Sequence, residues 1–437
     1  MYRALQIFVL LGVHLCLSAG VNGFGVAKRP DEGQNLRLRW KSGSIQVAIS
    51  TSLTAETYNI RPNSDVAGAI RRSLATWEAV GAIQFEQVSS DKQSVSPAGN
   101  AGDGVSLITI AQTPENLLMF SKDAGDVSAR TRVFYNRRGF ITEADIVLNP
   151  YQQFSTEGAI GTFDLESTLT HEIGHLLGLE HSAVFGATMH DNYGKNGLFS
   201  LQSFSARSLG EDDIASVRAL YGSGTDTECC GRIAGRLTTK ARNLRLWAEE
   251  PETGRVFAEI APGADGTFRL EGLPAGVYEL YAQGSRTGKN IVSTEMLERV
   301  TVEKGRTVNV TRKLTERPGT FDLNYVGFNG QLSELAVSVN RGKTYTVYVG
   351  GKNLDPMRLN VGLSSKFLGI TPGTIVAHEY DEGLTVMSFE LIVRPGTPLG
   401  EYSISLESAS GEKHTIIGAL TVEEFANPWN TSVVSED

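Results

Sequence analysis

Three histidines flank one glutamate in the stretch HEIGHLLGLEHSAVFGATM, which runs from His171 to Met189. The chain of 437 residues contains seven histidines, so this clustering needs a chemical reason. On a helix of 3.6 residues per turn, His171 and His175 project from one face, where both rings can bind one ion. Glu172 lies about 100° around the helix, beside the ion. The spacing therefore predicts a metal site on a helix.

The third histidine follows a glycine that can end this helix. Gly178 can adopt a left-handed conformation without steric cost, so the chain turns there and brings His181 back toward the other two rings. Three imidazoles with one open coordination position are typical of a catalytic zinc, whereas a structural zinc has four protein ligands. We therefore expect one Zn2+ bound by His171, His175 and His181.

The open position leaves room for water, and Glu172 is the residue we expect to activate it. Zinc lowers the pKa of a bound water toward about 7, and a nearby carboxylate can take its proton and pass it to a leaving amine. A purely structural site gives Glu172 no role. The alternative is that His171 and His175 fall four residues apart by coincidence, which the further match of Gly178 and His181 disfavours.

The stretch from His171 to His181 resembles the long signature of the metzincin metallopeptidases, and within them it is most similar to the matrixins. Ser182, directly after the third histidine, is the matrixin choice, where astacins carry Glu and adamalysins Asp. The resemblance implies that Met189 is the methionine of the Met-turn below the metal; the alternative is an ordinary core methionine. It also implies a zinc endopeptidase whose partners are protein or peptide substrates.

Further site residues follow from this resemblance alone. Tyr193 falls where matrixins place a tyrosine in the wall of the specificity pocket, without the proline that is usual nearby. The strand that carries Val133, Phe134 and Tyr135 corresponds to the edge strand that binds substrate as an added strand, although a plain edge strand needs no function. For His190 we expect a solvent-facing ring rather than a metal ligand, because three ligands suffice. The resemblance also implies calcium sites, for which the sequence assigns no ligands.

Two departures from the vertebrate matrixin pattern concern regulation and metal content. No cysteine lies between the N-terminal segment and the three histidines, so a thiol switch for latency is not expected. Residues 34–222 contain four histidines, three of which are the expected ligands, so a second, structural zinc is not expected either. The chain is therefore most similar to a bacterial-type matrixin without a prodomain.

The first residues have the layout of a secretory signal peptide. An apolar run from Ala4 to Leu17 is followed by the small residues Ser18-Ala19-Gly20. A single membrane-spanning helix is the rival interpretation, but the run is shorter than the ~20 residues needed to cross a bilayer. We therefore expect residues 1–19 to be removed, no membrane span in the remaining chain, and a secreted, extracellular protein.

The cysteines and the net charge limit the kind of fold and the kind of partner to expect. Apart from Cys16, the chain has only the adjacent pair Cys229-Cys230, so no disulfide framework is expected in the core. Free thiols, a vicinal bridge and an intermolecular bridge remain open for this pair. The net charge of −9 and the lack of a Lys/Arg cluster give no reason to expect nucleic acid as a partner.

The chain divides by its hydrophobic pattern into an α+β part and two all-β parts. Residues 34–222 mix strand and helix signals and predict a metzincin catalytic domain with a mixed twisted sheet and three helices. After a linker at 223–230, short alternating strands predict two all-β sandwich domains and a tail. The predicted strands are 44–50, 105–111, 129–136 and 140–149. The first predicted helix follows the cap Ser64-Asp65, the second runs from about Leu165 through Leu177, and the third starts at the capping box of Ser208 and Glu211 and ends at Gly222. The predicted sandwiches are 231–315 and 321–425, and the tail is 426–437.

The two sandwiches resemble carboxypeptidase regulatory-like and immunoglobulin-like (Ig-like) domains, respectively. Neither carries a catalytic constellation, and we expect them to anchor, space or target the enzyme, with a surface ligand as a further partner. This leaves an alternative of another class, a surface adhesion or binding protein in which the zinc domain is catalytically idle. The presence of Glu172 argues against that alternative.

Overall fold

The computed structural model describes residues 37–424, except 56, 100, 123–124, 126, 193, 198–206, 225–228, 288–289, 379 and 381–382, and describes only the backbone of 285–287. The predicted signal peptide at 1–19, the tail at 426–437 and Tyr193 lie outside the described residues. Within the described part of the chain, every helix is too short or too polar to cross a membrane.

The N-terminal unit is built on a mixed sheet, as the sequence predicts. Its strands pair in parallel, except that β5 at one edge runs antiparallel to β6. Two short parallel strands, β7 and β8, pair beside this sheet. The strands are β1 Arg39–Trp40, β2 Ser44–Ser50, β3 Gln84–Ser90, β4 Leu107–Thr109, β5 Ala129–Tyr135, β6 Phe140–Leu148, β7 Phe154–Ser155 and β8 Phe163–Asp164.

The three predicted helices are present in this unit, together with a short one that the sequence analysis missed. The missed helix follows Thr113, whose side chain accepts from the amide of Asn116, and it has a proline at its first position, a recognisable start signal. The helices are α1 Val66–Glu78, α2 Pro114–Leu118, α3 Leu165–Leu176 and α4 Glu211–Tyr221, with a 3-10 turn at Thr51–Leu53.

Helix α4 begins later than predicted, and a different side chain caps it. Its N-cap is Gly210, and the carboxylate of Asp213 accepts a hydrogen bond from the Gly210 amide at 2.9 Å. The predicted capping box of Ser208 and Glu211 is therefore wrong. The helix ends at Gly222 as predicted, with a φ of 82°.

Helices α1 and α3 pack against each other below the sheet. Ile70, Leu74 and Trp77 form the buried face of α1, as its 3.6-residue periodicity predicts. The Trp77 indole donates a hydrogen bond of 2.8 Å to the carbonyl oxygen of Thr170 in α3. This polar contact inside an apolar core fixes the position of α3, the helix that carries His171.

Two β-units of two sheets each follow the N-terminal unit. The middle unit pairs its strands in the orders β11-β10-β13-β14-β16 and β12-β9-β15. Its strands are β9 Gly231–Thr238, β10 Arg242–Glu249, β11 Val256–Ile260, β12 Thr267–Leu273, β13 Gly276–Thr287, β14 Asn290–Val302, β15 Thr307–Lys313 and β16 Arg317–Pro318. In the middle unit, Cys229 and Cys230 form a vicinal disulfide just before β9.

The C-terminal unit has one sheet in the order β18-β17-β20-β24-β22, with β23 also on β24, and another in the order β19-β26-β25-β21. Side chains from both sheets share one core. Its strands are β17 Asp322–Phe328, β18 Gln331–Ser333, β19 Val337–Asn340, β20 Thr344–Lys352, β21 Leu359–Leu363, β22 Leu368–Ile370, β23 Val376–His378, β24 Thr385–Val393, β25 Gly400–Ser408 and β26 Lys413–Glu423. The β-rich character of this half agrees with the sequence, while the domain boundaries and the two named sandwich families stay predictions.

The three units are packed together. Helix α4 lies against β11 and β12, and apolar residues of the N-terminal and middle units form one continuous buried cluster. The C-terminal unit has its own core. A smaller cluster joins all three units and contains Val184, Ala187, Trp247, Val256 and Ile417.

Candidate metal centre

Helix α3 ends as the glycine at 178 predicts. Gly178 has a φ of 95°, its amide donates to the His175 carbonyl, and the Leu179 amide donates to the Gly174 carbonyl, both at 2.9 Å. These two bonds form a Schellman motif. A side chain at 178 would also place its Cβ 2.4 Å from the carbonyl oxygen of Leu38. The helix therefore ends abruptly, and the chain turns back toward His181.

Two aromatic side chains bind the last carbonyls of α3. The Trp40 indole donates to the Leu176 carbonyl at 2.8 Å, and the Tyr221 hydroxyl donates to the Leu177 carbonyl at 2.5 Å. The carbonyls at a helix end have no partner within the helix, so these bonds replace water there. Because Trp40 lies in β1 and Tyr221 in α4, two other elements hold the end of the helix in place.

The three predicted histidine ligands converge. Their ligand atoms lie within 4.8 Å of one another, and Nε2 of His175 lies 3.1 Å from Nε2 of His181. His171 is buried and His181 is exposed, so one side of the group opens to solvent. Within the described part of the chain, no other group of histidine, cysteine and acidic residues meets the same criterion. The expected calcium sites therefore stay a prediction.

Backbone carbonyls set the tautomers of two rings. His171 Nδ1 lies 2.8 Å from the Thr188 oxygen, and His175 Nδ1 lies 2.7 Å from the Leu179 oxygen. Because a carbonyl only accepts, each Nδ1 donates its proton and Nε2 keeps its lone pair for a metal. Burial lowers the pKa of His171 well below its ordinary value and that of His175 to about 3, so both rings are neutral. Three neutral imidazoles suit Zn2+.

Glu172 directly follows His171 on α3, and its carboxyl is buried. Burial raises its pKa to about 7, and a hydrogen bond from the Thr131 hydroxyl and the charge of Arg130 partly offset this increase. The same hydroxyl also donates to the Glu172 backbone carbonyl at 3.2 Å. A carboxylate with a pKa near neutrality can both take up and release a proton, which a general base and acid requires. Thr131 lies in β5, and the sequence analysis missed its role.

Met189 lies directly beneath the metal-binding helix. The residue is buried, and a Cβ added to Gly174 would fall 2.2 Å from the Met189 sulfur. Only a glycine at 174 therefore lets the thioether lie this close to the helix. The Met-turn that the resemblance implies stays a prediction.

A buried aspartate fixes the backbone of this turn. The Asp213 carboxylate accepts from the amides of Thr188 at 2.8 Å and Met189 at 3.0 Å, in addition to that of Gly210. Burial raises the pKa of Asp213 to about 6. The neighbouring Asp212 is buried too, and it accepts a hydrogen bond from the Ser182 hydroxyl. No local pattern links residue 213 to residue 189, because the contact is tertiary.

His190 does not face solvent, which corrects the sequence-based expectation. Its ring is 5% exposed, with Nδ1 at 3.1 Å from the Ser182 oxygen and Nε2 at 2.7 Å from the Glu334 oxygen. The expectation was wrong because Glu334 belongs to the C-terminal unit, which covers this residue in the folded chain. Neither ring nitrogen belongs to the metal-binding group.

The predicted substrate-binding residues lie on β5, next to the helix. Val133 and Tyr135 are partly buried and pack against the main core, whereas Phe134 is 9% exposed. Thr131 and Val133 share one face of the strand because side chains alternate, and a register shift separates Phe134 from Tyr135. The hydrogen bond from Thr131 to Glu172 places this strand beside the triad.

Comparisons with known proteins agree with this geometry. Residues 121–222 match the model of the peptidase family M10, described as Matrixin. The chain is 30% identical over 196 residues to Metalloendoproteinase 1-MMP of Arabidopsis thaliana, covering 43% of this chain and 46% of the relative. It is 30% identical over 183 residues to Hatching enzyme of Paracentrotus lividus, covering 40% of this chain and 26% of the relative. It is 27% identical over 211 residues to Karilysin of Tannerella forsythia, covering 47% of this chain and 38% of the relative.

These alignments span less than half the length of each relative. The family match covers the three histidines, Glu172 and Met189, and does not extend into the middle and C-terminal units. The N-terminal unit therefore contains a segment that is similar to the matrixins.

Proposed function

We propose that this protein is a secreted, zinc-dependent endopeptidase that hydrolyses peptide bonds in extended protein segments. The observation that carries the proposal is the convergence of three histidines, two of them on the same helix as a buried glutamate. The similarity to named metalloendopeptidases over the same residues supports it. The predicted signal peptide at 1–19 supports secretion.

His171, His175 and His181 would hold the zinc through their Nε2 atoms. Bound there, zinc supplies Lewis-acid activation of water and of the peptide carbonyl. Glu172 takes the proton of the attacking water and then delivers it to the leaving amine. The Thr131 hydroxyl fixes the Glu172 carboxyl by its hydrogen bond, and Met189 supports the helix by packing against Gly174.

The edge strand β5 is the proposed binding site for the substrate backbone. It lies at the edge of the sheet and runs next to α3, so an added strand would pass the three histidines. Main-chain pairing is tolerant of sequence, which suits a substrate in extended conformation. Val133, Phe134 and Tyr135 form the predicted contact, and Tyr193 is the proposed wall of the pocket beyond the scissile bond.

Glu172→Ala tests this function. We expect the purified full chain to cleave an unfolded protein, a chelator to abolish cleavage, and the variant to lose about 10²–10⁴-fold in kcat/KM, the usual contribution of a general acid-base group. Its zinc content, measured by mass spectrometry of the metal, should equal that of the unsubstituted chain.

Glu86→Ala is the matched control, because Glu86 is an exposed carboxylate on β3 of the same unit. It should retain full activity. Undiminished turnover in the Glu172 variant would refute the assigned role. Absence of cleavage for every polypeptide tested, together with ligand binding by the β-units, would support the adhesion alternative.

A further inference from the structure

The segment from Ser182 to His190 connects the third histidine with the Met-turn. It lies between the middle and C-terminal units, as its apolar side chains show. Val184 and Ala187 are buried in the small cluster with Trp247 and Val256 of the middle unit and Ile417 of the C-terminal unit. We call this segment the clamped loop.

The middle unit contacts the beginning of the clamped loop through polar groups. The Glu259 carboxylate accepts a hydrogen bond from the Ala183 amide at 3.3 Å, two residues after His181. The Glu259 amide donates to Asp212 at 2.6 Å, and the other oxygen of Asp212 accepts from the Ser182 hydroxyl at 2.6 Å. Arg245 pairs with Glu259 at 3.2 Å, which compensates its buried charge.

The C-terminal unit contacts the rest of the clamped loop. The Phe185 amide donates to the Ile417 carbonyl at 2.9 Å, and the His190 ring bonds to the Glu334 carbonyl at 2.7 Å. Just after the loop, the Asn192 side-chain amide donates to the Glu334 carboxylate at 3.0 Å. Backbone and side chains of the loop are thus both bound.

Two glycines bring the loop and the C-terminal unit closer than larger residues allow. A Cβ at Gly418 would lie 2.4 Å from Cγ1 of Val184, and a Cβ at Gly186 would lie 2.5 Å from Oγ1 of Thr421. Interiors packed this tightly transmit small displacements instead of absorbing them. A shift of β26 therefore moves the clamped loop.

We propose that the middle and C-terminal units are positioning elements of the metal site: through the clamped loop they fix His181 and Met189. His181 is exposed and lies outside α3, so the helix that carries His171 and His175 does not itself fix its backbone. Metal binding is tighter when ligands are already held in place, because the cost of ordering them is met in folding. This role differs from anchoring or targeting, and it rests on the proposed function only in assuming that the triad binds a metal.

Gly418→Ala in the full chain tests the proposal. The added methyl group collides with Val184, and we expect zinc affinity, measured by competition with a chromophoric chelator, to fall by about tenfold, as for other groups that orient ligands. Gly373→Ala is the matched control in the same unit. Gly373 has a φ of 78° against 64° for Gly418, but a Cβ there meets no atom within 4 Å.

The control should bind zinc like the unsubstituted chain. Equal zinc affinities of the two folded variants would overturn the proposal. If Gly418→Ala does not fold, the zinc affinity of Glu259→Ala tests the proposal instead. Glu298→Ala is the control for this second variant. Glu298 of β14 pairs with Arg312 of β15 at 2.7 Å, within the middle unit.

The zinc measurement separates this proposal from the proposed function. A chain that binds zinc but cleaves nothing contradicts the peptidase while leaving the positioning role intact. A chain that cleaves protein while Gly418→Ala and Glu259→Ala retain full zinc affinity contradicts only the positioning role.

Discussion

At the scale of single residues, the ionisation of Glu172 depends on opposing neighbours. Burial raises its pKa to about 7, while the Thr131 hydroxyl and Arg130 favour the charged form. A divalent cation beside the carboxyl would favour the charged form further. The acidic side of the pH-rate profile therefore reports how well Thr131 stabilises the carboxylate.

Thr131→Val removes the hydroxyl and keeps the shape of the side chain. Without this donor the pKa of Glu172 rises, so the base is protonated up to a higher pH and the acidic limb of kcat/KM moves upward. We expect activity on that limb to fall by about tenfold, since a hydrogen bond to a charged group is worth roughly 1.5 kcal/mol. Thr131→Ser keeps the donor and should leave the limb in place; an unshifted limb in the valine variant would contradict this account.

At the scale of elements, the contact between α3 and the Met-turn depends on one small residue. Gly174 lies between His171 and His175 in sequence and faces Met189 and Trp77. Asp213 holds the turn from the other side through the amides of Thr188 and Met189. The helix and the turn are thus positioned by packing on one side and by hydrogen bonds on the other.

Gly174→Ala should destabilise the folded chain. Alanine favours a helix by about 1 kcal/mol over glycine, but the Cβ would lie 2.2 Å from the Met189 sulfur, and overpacking costs about 1–3 kcal/mol. The midpoint of chemical unfolding measures the balance. The double variant Gly174→Ala/Met189→Ala should recover part of the lost stability, because the space left by the methionine side chain accepts the added methyl group. A single variant as stable as the unsubstituted chain would show that the contact is not tight.

At the scale of the whole molecule, carboxylates are buried where the three units meet. Glu401 of the C-terminal unit is 6% exposed, and burial raises its pKa to about 8, with further contributions from the charges of Asp213, Glu211 and Asp212. Burial also raises the pKa of Asp212 well above its ordinary value. The junction therefore favours protonated carboxyl groups.

This arrangement predicts that the chain loses stability as the pH rises. Glu401 binds its proton up to about pH 8 when folded but only up to its ordinary pKa of 4.5 when unfolded, so its contribution is present at low pH and lost through that window. Glutamine at position 401 is neutral at every pH, so Glu401→Gln should make Tm fall less steeply as the pH rises. At high pH we expect its Tm to lie about 2–4 °C above that of the unsubstituted chain. Glu390→Gln, an exposed site in the same unit, should match the unsubstituted chain, and an unchanged slope in the Glu401 variant would refute the argument.

Local signals predicted much of the N-terminal unit. The periodicity of Ile70, Leu74 and Trp77 gave the buried face of α1, and Asp65 caps that helix through the Gly68 amide. Strand β2 has the predicted bounds, whereas β4 is shorter than predicted because side-chain contacts replace strand pairing at its ends. The start of α4 was wrong because a buried carboxylate, and not the nearby serine, binds its first amide.

Local sequence patterns were enough to predict which residues form the site. The spacing of His171, Glu172 and His175 on one helix, and the glycine that returns the chain to His181, are local properties of the backbone, so they could be read without a fold. The tertiary structure alone decided how these groups are held. Thr131 reaches Glu172 from another element, and Glu334 and Ile417 reach the clamped loop from another unit. Such contacts depend on which distant surfaces meet, and no short-range pattern of residues encodes that.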